Sequence, residues 1–327
     1  MNEESPSFSP GIVNFAPQLT DEIADALSSG RPVVALETTL VSHGFSGGRG
    51  LDAALDSEQR VRAAGATPAT IGVLDGVVRV GLSASELTRF ADAGQSARKA
   101  GARDLAACVV QGALGSTTVG GTLAVCRAVG IRFMGTGGIG GVHRGFAETL
   151  DISADLPQLS RTPAMVVCSG AESILDVGAT AELLETLGVP VLGWQTPTLP
   201  MFYSAEGGPP VSATVAQAAE AAEIAATHWQ LVPSGGLILA RPPVGGLDLE
   251  ALVTEAVERV RRAGVTGQAV TPAVLTAVEE LSDGRSVEVN RRLIADNAEL
   301  AAQVAVAYAG ESPQSTMAAT GPPPSGP

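Results

Sequence analysis

Five short apolar runs punctuate the chain: PVVALE (32–37), IRFMG (131–135), AMVVC (164–168), VPVLGWQ (189–195) and GLILA (236–240). Longer amphipathic stretches separate them, among them LDAALDSEQRVRAAG (51–65) and LDLEALVTEAVERVRRAG (247–264). A brief run without polar alternation suits a strand buried on both faces, and such a strand needs helices above and below it. The pattern predicts an α/β fold, an α/β/α layered single domain around a mostly parallel central sheet. Further helices are expected at 20–30, 172–188, 212–230 and 289–310, and another at 83–94 with a capping box at its start. ATIGVLDGVVRVGL (69–82) reads as a hairpin turning at Asp75-Gly76.

The ends differ in kind. Residues 1–16 are rich in Ser, Pro and Glu, and residues 311–327 form a Pro/Ser/Gly tail, so both are expected to be disordered. Residues 17–310 then form one catalytic domain, with no internal linker or fixed-period repeat. A net charge of −14 argues against a nucleic-acid or membrane-surface partner, because both need a basic face. Cys108, Cys126 and Cys168 sit apart in apolar runs and read as buried thiols of a reducing compartment. With no secretory leader and no apolar run of about 20 residues, the expected location is the cytoplasm.

Ligands of such sheets bind beyond the carboxyl ends of the strands, so the segments following the apolar runs are where chemistry is sought. Glu37 ends the first run and is a candidate general acid or base, with a helix cap or a surface acid as the alternative. GTGGIGGVHRG (135–145) follows the second run. Gly135, Gly137 and Gly140 satisfy G-x-G-x-x-G, but no amphipathic helix starts directly after it, which weakens a dinucleotide reading. A backbone that approaches a ligand closely fits better, with Gly137 and Gly138 as contact points and His143 and Arg144 following. Ser116, Thr117 and Thr118 stand at an expected helix start, where hydroxyls and free N–H groups suit a phosphate or simply cap the helix. Asp151 and Asp155, four residues apart, would suit a hard divalent cation, or one of them a cap. Lys99 is the sole lysine of the chain; every other basic residue is arginine.

Taken in order, VVALETTLVSHG, PATIGVLDGVVRVGL, TGGIGGVHRG, DISADLPQL, VVCSGAESILD, GVPVLGWQT and GGLILARPPV resemble the pseudouridine-5′-phosphate glycosidase family, also called the indigoidine synthase A family. The resemblance runs from about residue 30 to residue 305. It implies a homotrimeric enzyme with a divalent metal, Mn²⁺ or Mg²⁺. The implied reaction is reversible cleavage of the C–C glycosidic bond of pseudouridine 5′-phosphate into uracil and ribose 5-phosphate. By motif, Glu37 corresponds to the acid/base glutamate, Lys99 to an active-site lysine, His143 to the histidine beside the base, and Asp155 to the metal-binding aspartate. Asn290 or Asn297 corresponds to an asparagine that contacts the base.

The pattern breaks at three places. Glu172 stands where the family carries the lysine that attacks C1 of the sugar and forms an imine. Arg241 replaces an asparagine before proline, and HGFSGGRGL (43–51) lacks the usual proline-containing stretch. A carboxylate forms no imine. The nucleophile is therefore expected to be Lys99 as an amine, or Glu172 as a carboxylate that makes a glycosyl ester. The alternatives are a C-ribosyltransferase joining ribose 5-phosphate to another carbon nucleophile, and a catalytically inactive sugar-phosphate-binding relative.

Overall fold

A computed structural model describes residues 16–45, 48–265 and 270–311. The expected disordered ends lie outside these residues, apart from Ala16 and Glu311. The centre is a sheet of 11 strands. Thr67–Leu74, Val33–Leu36, Phe133–Gly135, Met165–Cys168, Leu237–Ala240, Val191–Trp194 and Ala213–Val215 lie side by side in that order, each parallel to its neighbour. All five apolar runs are strands of this sheet, as expected.

Both faces are covered. Along Val33–Leu36, Val33 and Ala35 join one hydrophobic cluster while Val34 and Leu36 join the other. Alternate residues thus enter opposite layers, which is why the run carries no polar alternation. The helix Arg285–Glu311 packs on one face against Phe133–Gly135 and Met165–Cys168. It approaches closely because Gly135 lacks a Cβ; one built there would lie 2.7 Å from the Cα of Ala298. Phe133, Trp229 and Tyr308 meet edge to face on the same side.

The expected hairpin forms: Thr67–Leu74 pairs antiparallel with Val77–Val80, and Asp75 and Gly76 take positive φ of 50° and 80°. The capping box at Ser83 and Glu86 is present. Two helix expectations need correction. Helix 172–188 starts late, at Val177, because Leu175–Asp176 pairs with Val142–His143. Likewise Ala213–Val215 is an edge strand, and its helix is Ala218–Leu231. In both, β-pairing to a distant partner overrides local helical pattern.

A branch leaves the sheet on one side. Gly115–Thr117 pairs antiparallel with the end of Thr67–Leu74, and Arg98–Ala100 pairs parallel with Gly115–Thr117. Lys99 enters the molecule on this branch.

Candidate active site

The carboxyl ends of the parallel strands surround a cavity of ≈ 300 Å³. Glu37, Lys99, His143, Asp155, Glu172, Gly138 and Thr118 line it. A narrower space of ≈ 70 Å³ adjoins it, sharing Glu37, Lys99 and Glu172 and adding Gly137, Phe202 and Asn290. Residues far apart in sequence meet because each follows a different strand or sits on the side branch.

Glu37 follows Val33–Leu36 directly and is buried. Its Oε1 accepts a short hydrogen bond from the Thr136 hydroxyl. Burial pushes its pKa up to about 8; the Thr136 bond and Lys99 oppose this, while Asp155 and Glu172 add to it. Near neutrality Glu37 is therefore a protonated acid. Glu172 faces the cavity and keeps some solvent access. Its depth in the molecule still raises its pKa to about 7, with Lys99 lowering and Asp155 raising it. Lys99 thus favours the ionised form of both carboxyls.

His143 pairs with Leu175 across the small sheet, and its Nε2 lies 4.0 Å from Asp151 Oδ2. Burial favours the neutral ring; Asp151 opposes that and Lys99 reinforces it. Arg144 clasps the segment after Glu172, donating to the carbonyls of Ser173 (3.1 Å) and Leu175 (3.3 Å) and pairing with Glu250 at 2.8 Å.

Asp155 Oδ1 accepts from the Gly120 N–H at 2.7 Å and Oδ2 from the Gly140 N–H at 3.0 Å. Glycine is required at both donors: a Cβ would stand 2.9 Å from Oδ1 at Gly120, and 2.8 Å from Oδ2 at Gly140. At Gly140 a Cβ would also collide with Ser153 Oγ, and at Gly141 with Thr180 Oγ1, so the glycine loop is packed against several neighbours, Asp155 among them. At Gly138 a Cβ would meet the Phe202 ring at 2.8 Å, so close packing accounts for that glycine as well as its place on the cavity wall.

Among the described residues, no three His, Cys, Asp or Glu side chains converge as a metal cage. Each Asp155 oxygen still keeps a lone pair beyond its backbone bond. An all-oxygen donor of this kind fits a hard divalent cation with water in the remaining positions. The Asp151 carboxylate lies beside His143, 4.0 Å from its Nε2.

Several expectations are corrected here. Ser116 and Thr117 do not offer hydroxyls to a phosphate. They belong to a buried strand, where Ser116 Oγ meets Ser42 Oγ at 2.7 Å and Thr117 Oγ1 donates to the Ile71 carbonyl at 2.6 Å. Thr118 does cap the helix Val119–Val129 and lines the cavity. Asn290 lines the narrow space, whereas Asn297 is fully buried and bonded to backbone and Ser169. Arg241 pairs with Asp296 at 3.0 Å and does not line the cavity. Two contributors escaped the sequence reading: Thr136, the partner of Glu37, and Phe202 on the wall. Thr136 lies one residue past the strand Phe133–Gly135, at the carboxyl end where such sheets bind their ligands. Phe202 has no local signal.

One amine between two carboxyls that favour protonation, at the carboxyl ends of a parallel sheet, defines an acid–base enzyme with a potential amine nucleophile. Its cavity suits a small polar substrate. The chain belongs to the indigoidine synthase A-like family, whose model, described as "Indigoidine synthase A like protein", matches residues 22–307. A pseudouridine-5′-phosphate glycosidase of Chloroflexus aurantiacus is 46% identical over 297 residues, covering 88% of this chain and 97% of the relative. One from Salinispora tropica is 49% identical over 294 residues, covering 88% and 90%. Among solved structures, the prealnumycin C-glycosynthase AlnA in complex with ribulose 5-phosphate superposes with a TM-score of 0.81 at 39% identity, covering 90% of this chain and 97% of that one.

Proposed function

We propose that this protein is a C-glycosidase that reversibly cleaves pseudouridine 5′-phosphate to uracil and ribose 5-phosphate. The carrying observation is that the lone lysine and a glutamic acid held protonated near neutrality line one cavity. The relatives named pseudouridine-5′-phosphate glycosidase support the substrate.

A C-glycoside offers no heteroatom leaving group, so two needs must be met together. The base carbon must gain a proton, and C1 must gain an electron-donating partner. The neutral Lys99 amine attacks C1; the bond from C1 to the ring oxygen breaks, and that oxygen takes the proton given up by the attacking nitrogen, which regains its lone pair. The bond from C1 to the base then breaks. Its electron pair stays on the base carbon, which receives the proton of Glu37, while the nitrogen lone pair forms the C=N bond of an iminium. Water adds to that bond and releases ribose 5-phosphate and the free amine. His143, steadied by Asp151, serves as the neutral polar group beside the base. Glu172, with its own carboxyl pushed up to about 7, can take up or release a proton near neutrality.

Asp155 would hold Mn²⁺ or Mg²⁺. Bound there, the cation would supply further positive charge to a cavity lined by five carboxyl groups, Glu37, Asp104, Asp151, Asp155 and Glu172, against Lys99 and Arg103. The protein is further read as a cytoplasmic homotrimer, in keeping with its family resemblance and with three buried free thiols.

The test is incubation with pseudouridine 5′-phosphate and Mn²⁺, followed by mass spectrometry for uracil and ribose 5-phosphate. A second reading is favoured by Glu172 and by the likeness to a C-glycosynthase. In it, the same machinery joins ribose 5-phosphate to another carbon nucleophile. Absence of uracil release, together with trapping of ribose 5-phosphate on the protein, would select that reading.

A further inference from the structure

We propose that Asn297 is the positioning residue that holds Thr136 against Glu37 and the Glu172 loop against the glycine loop. The inference rests on the reading of Glu37 as the proton donor. Asn297 touches neither cavity and is fully buried on the helix Arg285–Glu311. The missing Cβ of Gly135 lets the next residue, Ala298, lie on the strand backbone. The Asn297 amide therefore reaches past the strand end. Its Nδ2 donates to the Thr136 carbonyl at 2.9 Å and to Ser169 Oγ at 3.1 Å, with a longer contact to the Gly137 carbonyl at 3.4 Å.

These acceptors belong to two different loops. Thr136 donates its hydroxyl hydrogen to Glu37. Ser169 donates its N–H to the Gly137 carbonyl at 2.8 Å, and three residues later the Glu172 N–H donates to the Ile139 carbonyl at 3.0 Å. One amide thus pins both loops where they run together. The other half of that amide does nothing comparable: Oδ1 is buried with no hydrogen-bond partner. An unpaired buried acceptor is unfavourable, so what the amide contributes lies in the donors that satisfy the Thr136 carbonyl and Ser169 Oγ. The donors account for the asparagine.

The charged groups acting on Glu37 are Asp155, Glu172 and Lys99, and Thr136 is its hydrogen-bond donor. Loosening Thr136 removes a bond that favours the ionised carboxylate, and leaves the charges in place. The test compares Asn297→Ala, Asn297→Ser, Thr136→Val and the double variant Asn297→Ala/Thr136→Val. Two readouts are taken. One is the pH dependence of kcat for pseudouridine 5′-phosphate cleavage. The other is infrared titration of the Glu37 carboxyl band, assigned by its loss in Glu37→Gln, which needs no turnover. The expected result for Asn297→Ala is a tenfold or greater fall in kcat, a KM within threefold, and a midpoint moved to higher pH by at least half a unit. Thr136→Val should show the same shift, and the double variant no more than either. Asn297→Ser, which keeps one donor, should fall between. Unmoved midpoints in folded variants, or shifts that add, overturn the proposal. If both substitutions at 297 unfold, an unmoved midpoint in Thr136→Val alone overturns it. Shifts in the infrared band of a protein that cleaves nothing would instead overturn the reaction reading and leave the positioning role standing.

Discussion

Lys99 lies opposite Ser116, and Ser116 opposite Gly72, across two successive strand pairings. That register carries the amine from the edge of the sheet to the cavity lined by Glu37 and Glu172. Strand alternation sends its neighbour the other way: Arg98 is exposed and donates to Gln111 at 2.7 Å.

Borohydride added during incubation with ribose 5-phosphate should therefore give a covalent adduct, and peptide mapping should place it on Lys99. No other side-chain amine exists in the chain to compete. Lys99→Arg keeps a positive charge but cannot form the imine. It should abolish trapping and reduce kcat by roughly 10²–10⁴-fold, the range for removing a group essential to proton or nucleophile chemistry. An active enzyme without an adduct would shift the chemistry to a glycosyl ester on Glu172.

Glu172 gives a second test. If it merely occupies the place of a lost lysine, Glu172→Lys should raise cleavage of pseudouridine 5′-phosphate. If its carboxyl takes part in the reaction, the same substitution should abolish activity. Steady-state kcat in a folded variant decides between them; no change in either direction would place residue 172 outside the chemistry.

The strands of the sheet were legible because burial on both faces leaves an unbroken apolar run, and Glu37 followed from its place at the end of one. The side branch was not. Arg98–Ala100 and Gly115–Thr117 are three residues each, too short for a period, and exist through pairing with one another and with Thr67–Leu74. For the same reason Ser116 and Thr117 looked like helix-start hydroxyls when they are strand residues. The helix Val270–Leu281 also went unrecognised. Asn297 could be named from sequence, but not its role, because its partners lie more than a hundred residues away. Local pattern reports which face of an element is buried; it says nothing about which distant carbonyl a buried amide meets.

Asp155 carries structure as well as charge. Its two oxygens accept the buried N–H groups of Gly120 and Gly140. Asp155→Ala leaves both donors unpaired and should destabilise the fold by about 3–6 kcal/mol, since each charge-assisted bond is worth about 1.5–3 kcal/mol. Asp155→Asn keeps one acceptor oxygen and should lose about half of that. Electron paramagnetic resonance of added Mn²⁺ should report binding to the wild type and at least tenfold weaker binding to Asp155→Asn. Equal affinity in the two would remove Asp155 from the metal site.

Stability should fall as pH rises through the neutral range, and Glu37 is a main cause. In the folded protein its pKa is pushed up to about 8, and that of Glu172 to about 7, while an exposed glutamate titrates near 4.5. Between these values the folded state holds protons that the unfolded chain has released. The stability tied to the neutral carboxyls is thus fully present below about pH 4.5 and is lost progressively as pH climbs to about 8. Each group contributes a slope of up to about 1.4 kcal/mol per pH unit in that window. Glu37→Gln is neutral at every pH, so it should flatten the decline and be relatively more stable at pH 8 than at pH 5. Urea unfolding of both proteins at several pH values, without metal or sugar phosphate, measures the slope. A Glu37→Gln profile parallel to that of the wild type would mean that Glu37 is already ionised at neutral pH, and with it the proton assigned to the base carbon would have to come from another group.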